Sequence, residues 1–358
     1  MPIRFSRVFL SAEAFEAAGV FDVDGDGVPD IVTGGFWYKG PDFRERFLVG
    51  DRLPRFNDYY DEFSVIPIDV DGDGRLDFVT GGWWGGSLRW RRNPGDAKAK
   101  WDEFTIADNV GNIETTRAWD IDGDGELEIV PNTPNSPLCA YKRIAHGQFA
   151  YHVLHTKPLG HGLGFGDIDG DGRGEFITPK GILKAPEAGP FSGEWSFSEK
   201  FELGGDASIP ILVVDLDGDG VSELIVGNSH SYGLSWWKPS TATTGRHTWV
   251  KHPIDPFNSQ YHDLQWADID GDGQPELITG KRYLAHCGRD PGEYDDLGIY
   301  IFKWTGSGFA KHVVAYGPPG VGKGCGIQFA LADLRGTGRL DIVAPGKDGL
   351  AVFFNEGS

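Results

Sequence analysis

Apolar residues in this chain come in short bursts that follow one recurring acidic phrase. IVTGG follows Asp30, FVTGG follows Asp77, LIVGN follows Glu223 and LITGK follows Glu276. Apolar runs this short, closed by glycine, predict strands. Around each phrase the same four segments recur. A first strand runs into the acidic loop (HGLGFGD, YHDLQWAD) and a second leaves it (ELIVGN). A third is aromatic (GLSWWK, GIYIFKW), and a fourth mixes polar and aromatic residues (FRERFLV, WDEFTIA, FAYHVLH, TWVKHPI, FAKHVVA). Successive loops start 47, 51, 47, 48, 53 and 65 residues apart, which is the size of a four-stranded propeller blade. RFSRVFL (Arg4 to Leu10) is of the fourth type with nothing before it, while IVAPGKDGLAVFFN supplies a second and third strand with no fourth. Joining the two ends completes a seventh blade and removes the open edges. The expectation is an all-β chain, residues 1–358 forming one seven-bladed propeller.

The acidic phrase has the spacing of a calcium loop, with carboxylates at positions 1, 3, 5 and 9 and glycines for the tight turn. The six full copies place Asp22, Asp24, Asp26 and Asp30; Asp69, Asp71, Asp73 and Asp77; Asp120, Asp122, Asp124 and Glu128. They continue with Asp167, Asp169, Asp171 and Glu175; Asp215, Asp217, Asp219 and Glu223; Asp268, Asp270, Asp272 and Glu276. Up to six calcium ions are expected, with magnesium able to fill some loops. An EF-hand is excluded: position 12 is Thr33, Thr80, Pro131, Thr178, Val226 or Thr279 where that motif needs a bidentate Glu, and strands replace its helices. In the eroded seventh copy, DLRGTGRLD from Asp333, Arg335 and Thr337 replace two carboxylates. Its guanidinium is expected to pair with Asp333 and Asp341 and stand in for the cation.

The loops change the meaning of the net charge of -20. Their positions 1, 3, 5 and 9 hold 24 carboxylates, and six divalent ions would leave about -8, an ordinary soluble surface. No basic cluster points to nucleic acid, and no apolar stretch approaches the ~20 residues of a membrane span. Three cysteines in different units imply no disulfide framework. The N-terminus has no leader pattern, which at face value gives a cytoplasmic protein. Calcium, scarce in cytosol, favours a periplasmic or secreted one whose leader has been removed. Nothing in the sequence sets the oligomeric state.

Counting from each loop Asp locates a second face. Residues about six before it and thirteen to fifteen after it meet at the far end of the strands, about 20 Å away at ~3.3 Å per residue. There stand Glu114, His161 and His262, then Lys180, His230, Lys281 and Arg282, with Arg117, Trp83, Trp84, Tyr232, Tyr261 and Tyr283 nearby. Three consecutive units each aim one imidazole at the axis, a set suited to zinc or another transition metal. The insertion from Lys281 to Gly298, carrying Arg282, Tyr283 and His286, is a candidate lid over the funnel. PPGVGKGCG lacks the context of a phosphate loop, and Trp236 and Trp237 belong to blade packing.

The phrase D-x-D-G-D-G-x-x-[DE] before a short strand, at about 50-residue intervals, resembles the FG-GAP/VCBS repeat propellers. HGLGFGDIDGDG, ASIPILVVDLDGDG and SQYHDLQWADIDGDG further resemble the propeller of the fungal aldos-2-ulose dehydratases. That resemblance implies elimination from a keto-sugar in the funnel, with His161, His230 and His262 at the matching positions. The cupin domains of that family find no room in 358 residues, so an isomerase step assigned to them is expected to be absent. The leading expectation is therefore a carbon–oxygen lyase on a saccharide. Lys180, Lys281 and Arg282 supply charge, and Tyr232, Tyr261, Tyr283 or His286 transfers the proton. The alternatives are a non-catalytic glycan- or protein-binding propeller and a uronate-directed polysaccharide lyase without zinc.

Overall fold

A computed structural model describes residues 3–50, 55–241 and 247–357. The described residues contain no helix; they form seven four-stranded antiparallel sheets and one two-stranded hairpin. Blade one runs from its inner strand Gly19–Phe21 through Asp30–Thr33 and Phe36–Tyr38 to its outer strand Arg46–Leu48. Every acidic phrase is the turn between a first and a second strand. In blade seven, Ala330–Ala332, Asp341–Ala344 and Leu350–Gly357 are completed by Arg4–Ser11, in register from Phe5 opposite Asn355 to Phe9 opposite Ala351. The ring closes by pairing the two ends of the chain.

The core lies between blades. Ile269, Ile278 and Ile301 of blade six pack with Ile342 and Phe353 of blade seven. Leu216 and Trp236 of blade five pack with Leu264 and Tyr300 of blade six. Trp236 and Trp237 both fall in these interblade clusters. Inner strands approach closely around the axis. A Cβ on Gly164 would stand only 2.1 Å from the carbonyl oxygen of Ile211 on the next blade, so that position excludes any side chain.

The acidic loops hold their own turns. Asp22 accepts hydrogen bonds from the amides of Gly25 and Gly27, each at 2.8 Å, and both glycines are left-handed, at φ 76° and 83°. Asp30 closes the loop by accepting from Val23 N at 2.8 Å. The other five full loops repeat the position-1 bonds. In the seventh loop, Arg335 pairs with Asp341 at 3.5 Å and Glu356 at 3.2 Å. Asp333, expected to share that guanidinium, instead accepts the Arg335, Thr337 and Gly338 amides.

The hairpin of Arg55–Phe56 and Tyr59–Tyr60, between blades one and two, was not foreseen. Just after it, the buried Glu62 lies 3.4 Å from Arg91, which is also 3.0 Å from Glu103. Burial raises the Glu62 carboxyl to about 7, although Arg91 opposes the shift. A raised folded-state value favours folding fully at pH below about 4.5, and this contribution is lost as pH rises through about 7. Glu62→Gln is therefore expected to stabilise the protein at pH 8–9, by up to about 3 kcal/mol, and not at pH 4. Thermal melts of both proteins at the two pH values check this.

Candidate metal and substrate site at the axis

The far end of the ring gathers charged side chains from six blades. Glu114 Oε1 lies 3.1 Å from His262 Nε2, 3.6 Å from His161 Nε2 and 2.9 Å from Arg282 Nη1. His161 Nε2 and His230 Nε2 stand 3.2 Å apart. All four residues of the Glu114–His161–His230–His262 set are buried, and their ligand atoms lie within 4.8 Å of one another. Backbone contacts between blades fix them. The segment at His161 bridges to Asp206, and the His262 carbonyl accepts from Ile209 N at 3.0 Å.

The outer nitrogens decide the tautomers. His161 Nδ1 faces the Ala207 carbonyl at 2.9 Å and must donate to it. His230 Nδ1 donates to Asp290 at 2.9 Å. In the neutral rings both Nε2 atoms therefore present lone pairs to each other. Burial lowers the His230 value, and burial with the charge of Arg282 pushes His262 well below the usual histidine range. Burial works to raise Glu114, but the hydrogen bond from His262 and the charge of Arg282 help hold it well below the ordinary carboxylate value. Two converging lone pairs, an ionised carboxylate and a third neutral imidazole form a donor set that fits a divalent transition metal. Asp290 and the Ala207 carbonyl orient the rings from behind.

Behind this set sits a buried ion network. Arg282 donates to Glu16 through Nε at 2.9 Å and Nη2 at 3.5 Å, and to Glu114 through Nη1. Lys347 reaches Glu16 at 3.5 Å and the Leu284 carbonyl at 2.6 Å, and lies 3.6 Å from the centroid of the Tyr59 ring. Deeper on the axis, Arg117 donates to Asp263 at 2.8 Å and to the Ile209 and Ile327 carbonyls.

In front lies a cavity of about 590 Å³. Glu114, Arg282 and His286 reach it from the axis, with Tyr59, Phe63, Trp83 and Trp84 among its aromatic lining. Trp84 is backed by Phe56 at 5.3 Å and 12° between ring planes, and Asp61 holds its backbone by accepting from Trp84 N at 3.0 Å. His286, half-exposed, stacks on His230 at 3.9 Å and donates from Nδ1 to the same Asp290 at 2.8 Å. No acidic-loop residue lines this cavity.

The remaining expected residues are dispersed. Tyr261 is wholly buried, its hydroxyl bonded to Asp255 at 2.8 Å, which removes it from the funnel. Tyr232 is exposed and bonded to Asp295 at 2.6 Å, beside a separate groove. Lys180 is exposed and does not line the cavity. Lys281 is buried, with its ammonium on Ser259 Oγ at 3.1 Å and on the Gly292 carbonyl; burial lowers it to about 8. The Lys281–Gly298 insertion is pinned by Lys347, Gln260, Ser259 and Glu293, so it forms a fixed wall where a lid was expected. Lys323, in the rejected phosphate-loop segment, is buried on Asp348.

Three charged residues were missed, besides Tyr59 of the unforeseen hairpin. Glu16 and Lys347 lie six before and fourteen after their loop Asp, where the same count would have found them. Asp290 has no periodic signal, because the insertion that carries it occurs once.

Fold and site together define a seven-bladed β-propeller with a polar, histidine-rich centre at one end of its axis. Its repeats are FG-GAP-like: that description matches residues 69–130 and 215–279. Aldos-2-ulose dehydratase of Phanerodontia chrysosporium is 22% identical over 262 residues, covering 61% of this chain and 27% of that protein's length. Among solved structures, BBS1N in complex with ARL6DN, soaked with mercury, superposes with a TM-score of 0.55 at 11% identity, over 99% of this chain and 98% of that one. The lead-soaked form gives 0.53 at 12% identity, over 95% and 92%. These two likenesses concern the fold alone.

Proposed function

We propose that this propeller is a carbon–oxygen lyase that eliminates water or an alkoxide from a neutral keto-sugar in the axial funnel. The observation that carries the reading is the pair of histidine lone pairs meeting at 3.2 Å beside Glu114, next to an aromatic-lined cavity. His161, His230, His262 and Glu114 would hold zinc or a similar ion, which when bound supplies a Lewis acid for the substrate carbonyl. The distant similarity to aldos-2-ulose dehydratase supports the same class.

The chain's own groups then divide the work. The Trp83–Trp84–Tyr59 wall packs the apolar face of a sugar ring. His286 Nδ1–H is fixed on Asp290, leaving Nε2 as a base for the proton alpha to the carbonyl. In the elimination that C–H bond breaks, its electrons form the C=C bond, and the β C–O bond breaks. The protonated imidazole returns its proton to the leaving oxygen.

A specific feature weighs against the uronate reading. Of the two arginines lining the cavity, Arg282 and Arg289, Arg282 is already shared by two buried carboxylates, so it is not free to neutralise a substrate carboxylate. A purely binding module would gain nothing from buried imidazoles set edge to edge. The test is turnover on a panel of keto-sugars, including 1,5-anhydrofructose, and of uronates, with zinc-edge anomalous scattering from crystals grown of the same protein. Keto-sugar turnover that disappears on zinc removal and returns on reloading is expected. Full turnover in a zinc-free sample would sink the metal role, and no turnover on any sugar would favour a binder.

A further inference from the structure

The carboxylates that a divalent ion would take in each loop already surround a cation of the chain itself. Lys142 lies 2.8 Å from Asp122, 2.6 Å from Asp124 and 2.9 Å from Glu128. Lys238 reaches Asp217, then Asp219 at 3.3 Å and Glu223 at 3.1 Å. Lys303 pairs with Asp270 and Asp272 and lies 3.1 Å from Glu276. Lys184 contacts Asp169 and lies 3.4 Å from Glu175. Lys39 bridges Asp24 and Asp26. In blade two the cation is Arg92, 2.6 Å from Asp71 and 3.6 Å from Asp73.

Strand register explains the recurrence. The apolar residue after loop position 9 pairs with a third-strand residue, and the cation is the next residue along. The pairs are Ile31 with Tyr38, Phe78 with Arg91, Ile129 with Tyr141, Phe176 with Leu183, Leu224 with Trp237 and Leu277 with Phe302. Lys39, Arg92, Lys142, Lys184, Lys238 and Lys303 follow in turn. Blade seven inverts the arrangement. Ile342 pairs with Phe353, and the next residue is Phe354. There loop position 3 supplies the cation instead, with Arg335 over the Phe354 ring at 4.7 Å and 3.5 Å from Asp341. Each of the seven units thus has a cation against its loop, from the strand where the loop is fully acidic and from the loop where the strand is aromatic; in blade two Arg75 of the loop joins Arg92 on Asp73.

The four-carboxylate set suits a hard divalent ion, but in blades three to six the ammonium already lies against the carboxylates at positions 3, 5 and 9, and in blades one and two a cation lies against positions 3 and 5. We propose that these side chains are the resident counter-ions of the acidic loops. A divalent ion then enters by displacing them, and the ring keeps its fold without calcium. Calcium tunes a structure whose loop charge the lysines already partly offset; it does not create it.

The test is the double variant Lys142→Met/Lys303→Met beside wild type and Lys142→Arg/Lys303→Arg. Each is dialysed into calcium-free buffer with zinc retained, then followed by calorimetric calcium titration and thermal melts. Wild type and the arginine variant are expected to melt within about 2 °C of their calcium-loaded values, as for a ligand bound only weakly. The methionine variant is expected to melt lower without calcium, to recover with it, and to bind calcium about tenfold more tightly at the two altered loops. Two outcomes would overturn the proposal: wild type losing its folded state in calcium-free buffer, or a methionine variant whose calcium affinity is unchanged or weaker. The latter would make the lysines supports of a loaded loop.

Discussion

His161→Ala is expected to yield folded protein with no axial transition metal and keto-sugar turnover at least about 10³-fold lower. The removed ring contributes one of two lone pairs only 3.2 Å apart, and losing the charge stabilisation of a metal costs several kcal/mol of barrier, about tenfold per 1.4 kcal/mol. His161 also donates to a single backbone carbonyl, so the fold has little else to lose there. Asp290→Asn should give a graded version of the same defect. It leaves every ligand in place but weakens the carboxylate that orients His230 and His286, and such supporting residues are worth about 10–100-fold in metal affinity. Metal content by elemental analysis and turnover on one keto-sugar, measured in both variants, decide the matter. Unchanged metal content in His161→Ala would remove that histidine from the ligand set.

The second large effect is on stability. Arg282→Met is expected to destabilise the ring by about 3–5 kcal/mol, because it leaves Glu114 buried without its cation and Glu16 with Lys347 alone. Arg282 is one of the largest wholly buried side chains, and burial opposes its charge. Its two carboxylate partners nonetheless hold its value above the usual arginine range. Arg282→Lys keeps the charge but cannot reproduce the fork that spans Glu16 and Glu114, so it should rescue only part of the loss. Denaturant unfolding of the three proteins at pH 7 checks the order. A methionine variant as stable as wild type would mean that the carboxylates take up protons without consequence.

The ring was legible because its signal is periodic. Loop, second strand and third strand recur seven times, and an unpaired outer strand at one end matched a missing one at the other. The axial histidines and Arg282 were legible for the same reason, since a fixed count from each loop Asp reaches the far end of the strands. What periodicity does not carry was lost. The Arg55–Tyr60 hairpin that builds the aromatic wall and the Asp290 insertion each occur once. Tyr261 illustrates the converse limit: the count placed it near the axis, but alternation along the strand turns its ring into the blade, where Asp255 takes the hydroxyl. Glu16 and Lys347 sat on the count all along, in units whose loops or neighbours lacked a histidine to draw the eye.

The seam in blade seven has a consequence for how the chain is made. Phe5 must find Asn355, a partner synthesised later and 350 residues away in sequence. Contacts of such sequence separation slow folding. On the ribosome, blades one to six can assemble in order while the first strand waits without a partner. Completion of the ring is therefore a late event, and the exposed edges of the nascent array are the stage at which chaperones or aggregation would act.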